Sequence, residues 1–82
     1  MAKSIHSASY KLLCSLLITR RKELRLSQYD LADRLKRPQS FVAKIEGGER
    51  RMDVLEFLDF AYALEIDACE VIQAVEASYH PS

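Results

Sequence analysis

Glycine and proline are scarce in this chain of 82 residues, two of each, and β-branched runs are absent. A sheet protein needs such runs with turn residues between them, so their lack argues for an all-α fold. No apolar stretch approaches the ~20 residues that span a bilayer. The start, Met1 to His6, lacks the long apolar segment of a secretory signal, so no membrane is expected and cytoplasmic residence is the default expectation. Cys14 and Cys69 have neither CxxC nor Cys/His spacing for zinc, and His6 and His80 lie near opposite ends. Both cysteines read as small buried apolar residues. A glycine-rich phosphate loop is missing, and carboxylate pairs such as Asp30 and Asp33 have no pocket residues around them. These absences lend no support to catalysis, a metal, a cofactor or a small-molecule ligand.

Net charge is also absent, because 12 basic residues balance 12 acidic ones. The balance hides a division. From Arg20 to Arg51 there are ten basic residues against five acidic, +5. Outside that stretch Lys3 and Lys11 face seven acids (Asp53, Glu56, Asp59, Glu65, Asp67, Glu70, Glu76), −5. Binding to a polyphosphate depends on the local patch more than on the sum, so the basic middle is a candidate nucleic-acid surface. The plainer alternative is a solvated face.

What is present in quantity is apolar residue, 49% of a chain that suffices for one small domain over residues 1–82, with a core over about 9–78. Residues before Ser7 and after Tyr79 are expected to fray. The most informative segment runs from Leu26 to Gly48. Ser27 is a good N-cap, and Asp30 follows at close to capping-box spacing. Leu31, Ala32 and Leu35 share a buried face, and the helix should end around Leu35 and Lys36. Pro38 suits the first turn of a second helix. There Val42 and Ile45 point inward, and Gln39, Ser40, Ala43 and Lys44 stay outside. Gly47 and Gly48 supply the stop. Two short helices with a tight turn are a helix-turn-helix, a shape that fits the DNA major groove. Around it, a helix from about Ser9 to Leu24 carries Leu12, Leu13, Leu16, Leu17 and Leu24. Asp53 should cap a helix with Leu55, Leu58, Ala61, Tyr62 and Leu64. Asp67, with Glu70 at capping-box spacing, should begin a last one with Val71, Ile72 and Val75.

The combination of Arg21, Leu24 to Gln28, Leu31, Ala32, Gln39, Ser40, Val42, Ile45, Glu46, Gly48 and Arg50 resembles the lambda-repressor-like family, the Xre or Cro/C1 type. The resemblance covers roughly residues 12–66. It implies a compact five-helix domain whose third helix is the recognition helix. It also implies that Arg21 and Glu46 form a partly buried salt bridge that positions that helix. Two residues depart from the family pattern, which favours glycine where Arg25 and Lys36 stand. A non-glycine residue there costs about 1 kcal/mol and adds positive charge.

Each candidate contact follows from chemistry and place. Glutamine pairs bidentately with adenine, and serine serves a base edge or a phosphate, so Gln39 and Ser40 are candidates for base contact. Lys44, one turn on, reaches toward guanine or phosphate. Gln28 opens the second helix, where a side-chain amide and free N–H groups can meet a phosphate, as the family implies. Arg37, Arg50 and Arg51 flank the recognition helix as phosphate candidates. Phe41 either meets a thymine methyl or braces the loop.

The function expected is a sequence-specific transcriptional regulator on double-stranded DNA, with no membrane partner. It should act as a homodimer on a palindromic operator, because one recognition helix covers too few base pairs. The C-terminal helix (Val71, Ile72, Val75, Tyr79) and the first helix (Tyr10, Leu13, Leu17) are the surfaces available for pairing. An antitoxin or restriction–modification controller of the same fold, and a protein–protein adaptor that has lost DNA binding, are the alternatives.

Overall fold

A computed structural model describes residues 7–80; the fraying expected before Ser7, and that expected after Tyr79 except at His80, lies outside them. Five helices follow one another: α1 (Ala8–Glu23), α2 (Gln28–Leu35), α3 (Gln39–Glu46), α4 (Val54–Ala63) and α5 (Ala68–Ser78). No strand occurs among the described residues.

Four of the five helices, all but α3, start at a side-chain cap. Ser7 accepts from the Tyr10 N–H, and Ser27 and Asp30 form a full capping box, as do Asp53 and Glu56. The backbone N–H of Ser27 donates to Asp30 and holds its carboxyl below the usual range. At α5 the expected box is half made. Asp67 accepts from the N–H groups of Cys69 and Glu70, and Glu70 gives no return bond.

The ends share one device. After α1, α2, α3 and α4 the chain turns through a left-handed residue: Arg25 (φ 61°), Lys36 (φ 56°), Gly48 (φ 78°) and Glu65 (φ 56°). At each, two N–H groups reach back to orphan carbonyls, as in Leu26 to Arg21 (3.0 Å) and Arg37 to Ala32 (3.0 Å), the Schellman pattern. Only one of the four is glycine, which is how a helical chain closes four helices with so little of it.

The closures fold the helices around a cluster that includes Leu17, Leu31, Val42, Ile45, Phe60, Leu64 and Val71. Leu31, Val42, Ile45, Phe60 and Leu64 are fully buried. Leu13, Leu16, Leu24 and Leu35 pack against them, whereas Leu12 is only half-buried. Val71 belongs to this cluster at 3% exposure, so it is removed from the expected pairing surface.

The expected inner face of α4 is also corrected. Leu55, Leu58 and Tyr62 point outward, Leu55 at 70% and Tyr62 at 89% exposure, while Phe57, Phe60, Ala61 and Ala63 are buried. Eight of the ten residues of VLEFLDFAYA are apolar, so periodicity does not define a face. The docking of α4 onto α2 selects the phenylalanine side. Cys69, expected inside, is exposed on α5, whereas Cys14 is buried. No described helix is long and apolar enough to cross a membrane.

Candidate nucleic-acid interface

The turn at Lys36 sets α2 against α3, and Pro38 stands at the N-cap of α3 just before its first residue, Gln39. Proline has no capping side chain, so the first turn of α3 carries no side-chain cap. Its leading N–H groups and positive dipole end therefore stay open to an acceptor from outside.

Behind this end runs a chain of side-chain bonds. Arg21 of α1 grips Glu46 at the end of α3 through Nε (2.7 Å) and Nη2 (2.9 Å), and its Nη1 donates to the Leu26 carbonyl (2.8 Å). Both side chains are nearly covered, 11% and 10% exposed. The Gln28 amide donates to Glu46 (2.9 Å), and the Gln39 amide donates to the Gln28 oxygen (2.8 Å). Four residues from three helices thus fix one another. The Arg21–Glu46 pair expected from the family resemblance is present with bidentate geometry. The Gln28–Gln39 link was not foreseen, because it needs two helices at a known crossing. It leaves the Gln39 oxygen and one amide proton unused, the donor and acceptor that an adenine edge requires. Ser40 and Lys44 lie exposed on the same helix.

The arginines divide into two groups. Arg37 and Arg50 sit over the Phe41 ring, 4.4 and 4.9 Å from its centroid, and Phe41 lies 6.0 Å from Phe60. Phe41 is half-buried and braces the loop. Arg50 also holds Glu56 with two bonds (2.9 and 2.8 Å), so its charge is already matched. That contact, with the Asp53 N–H, draws the Glu56 carboxyl down to about 2. Arg51 lies apart, 5.0 Å over the ring of Tyr10. The Tyr10 hydroxyl donates to the Arg50 carbonyl (3.4 Å) and accepts from the Met52 N–H (3.1 Å), tying this loop to α1. Burial, with the neighbouring Cys14 thiol, pushes that hydroxyl up to about 12.

Two more arginines serve the fold. Arg20 donates to the carbonyls of Leu64 (2.9 Å) and Glu65 (3.0 Å), and Arg34 to that of Ala63 (2.8 Å). Together they satisfy the C-terminal end of α4, where positive charge is favoured. Of the ten basic residues around the motif, Arg20, Arg21, Arg34 and Arg50 are thus engaged internally. Lys22, Arg25, Lys36, Arg37, Lys44 and Arg51 have no ion-pair partner among the described residues. Glu56 was the missed partner; the Asp53-x-x-Glu56 spacing was its signal.

No cluster of three potential metal ligands occurs among the described residues. No family model matches the chain, and no curated protein does. Among solved structures, an XRE-family like protein from Pseudomonas syringae pv. tomato str. DC3000 is 43% identical. The match covers 93% of each chain, with a TM-score of 0.84. At that identity, over nearly the whole length and with the same five-helix fold, the chain belongs to the XRE family.

Proposed function

We propose that this protein is a sequence-specific DNA-binding transcriptional regulator. It reads a palindromic operator through the major groove as a homodimer and acts in the cytoplasm. The observation that carries the reading is the Arg21–Glu46–Gln28–Gln39 chain. A buried ion pair is used to hold one glutamine at the open, uncapped start of α3 with its remaining amide groups unpaired. A helix that only packed would have no use for that arrangement. In this reading Gln39, Ser40 and Lys44 face base edges. Gln28, Arg37 and Arg51 meet phosphates, and Arg50 does so less strongly because Glu56 already holds it.

Selection of bound sequences from a random DNA pool supplies the operator, and variants then test the roles. Gln39→Ala should lose roughly 1–3 kcal/mol at the matched site and relax preference at one position. Arg51→Ala should weaken matched and random DNA about equally. Identical effects of both changes on both DNAs would overturn the assignment.

A further inference from the structure

The outer face of α4 carries four large apolar side chains, Val54, Leu55, Leu58 and Tyr62, with Asp59 as the one charge among them. A helix that is apolar all round belongs inside something. Leu58 forms part of the wall of an apolar groove between α4, α5 and α1, lined also by Leu13, Met52, Phe57, Ala68 and Ile72. Ile72 and Cys69 are exposed at its α5 edge. Ridge and groove sit side by side on one surface. That is the requirement for two-fold self-docking, in which a patch must complement itself.

Resting on the homodimeric reading above, we infer that this α4–α5 face, and not the far end of α5, is where a second copy of the chain docks. The ridge of one protomer (Leu55, Tyr62) meets the groove of its partner, whose wall includes Leu58. The area fits. The exposed parts of Val54, Leu55, Leu58, Tyr62 and Ile72 amount to on the order of 600 Å² per chain, so a pair buries about 1,200 Å², the lower end of a specific interface. A patch of that size lies at the upper end of what a monomer leaves uncovered, and such patches are often functional.

The surrounding charge adds a signature. From Met52 to the end there is no lysine or arginine, and Asp53 and Asp59 border the face. Two copies bring like charges together, so salt should tighten the pair by screening them.

The test is sedimentation of the full chain without DNA, with melting curves to establish that each variant is folded. Leu55→Asp and Leu58→Asp should each weaken self-association by roughly tenfold or more, as expected of a central apolar contact. Tyr79→Asp should leave it unchanged. Leu55 is open enough that its variant keeps the fold even if Leu58→Asp does not. On the unaltered protein, alkylation of Cys69 should slow several-fold as concentration rises through the dimerisation range, with buried Cys14 as the internal control. A dimer that resists both α4 changes and yields to Tyr79→Asp overturns the interface and leaves the proposed function standing. So does a dimer that salt weakens, or Cys69 labelling that ignores concentration. A monomer both free and on selected DNA overturns the interface and the homodimeric reading together.

Discussion

Lys36 occupies a left-handed turn with φ 56° and has no ion-pair partner among the described residues to offset the strain. Replacing it with glycine removes a clash worth about 1 kcal/mol, less the extra freedom glycine gains in the unfolded chain. Lys36→Gly should raise the melting temperature by up to about 4–8 °C in a domain of this size. Glu65→Gly should raise it less, because Glu65 also pairs with Arg34 at 3.1 Å. Equal gains at both positions would show that the ion pair contributes nothing. Glu46 is the opposite case. Its removal leaves Arg21 buried without a counter-charge and frees the Gln28 amide, a loss on the order of 3 kcal/mol. Glu46→Ala should therefore melt well below the parent; an unchanged melting temperature would refute the positioning role. The left-handed turns at Arg25 and Lys36 were legible only through the family resemblance, whose pattern favours glycine at both positions. Glu65 was not, since nothing in a glutamate announces positive φ.

At the level of the element, α4 depends on an ionised group. Glu56 caps the helix and holds Arg50, and its carboxyl titrates near 2 in the folded protein against about 4.5 unfolded. Below 4.5 the unfolded chain binds the proton first, so stability falls as pH drops. The contribution is full above about pH 5 and lost by about pH 2, at most about 3 kcal/mol. Denaturant titrations across that window should show Glu56→Gln with a lower plateau near neutrality and a shallower acid slope than the parent. Parallel curves would mean other carboxylates dominate. This element was also the least legible. Asp53 was recognisable as a cap, but a helix with apolar residues on every side does not say which side faces inward. Only the packing of Phe57 and Phe60 against the other helices decides it. The motif helices, with shorter apolar stripes and polar outer faces, were read with Leu31, Ala32, Val42 and Ile45 correctly inside.

For the whole molecule, the division of charge was visible in the chain, but the use of each charge was not. Pairings such as Arg20 with the Leu64 carbonyl join residues 44 positions apart, and no local pattern foretells them. The consequence is measurable. With four of the ten basic residues engaged internally, fewer phosphates should be neutralised in the proposed complex than the composition suggests. Affinity for DNA should still fall with salt, at about −0.9 in log–log slope per phosphate contacted. The slope should diminish by about one for Arg51→Ala and remain nearly unchanged for Arg34→Ala. A flat response between low and moderate salt would remove the electrostatic basis of the proposed interface.

The separation of +5 from −5 within a chain of zero net charge also bears on how the protein meets its target. A uniform field exerts no net force on such a body, but it does exert a torque. Near a polyanion the face that carries the unpaired cations of the motif would turn inward before any atom touches. The field reaches only about 8–10 Å in physiological salt, so this turning happens in the final approach. The molecule would gain little in distance of capture and much in the fraction of collisions that arrive the right way round.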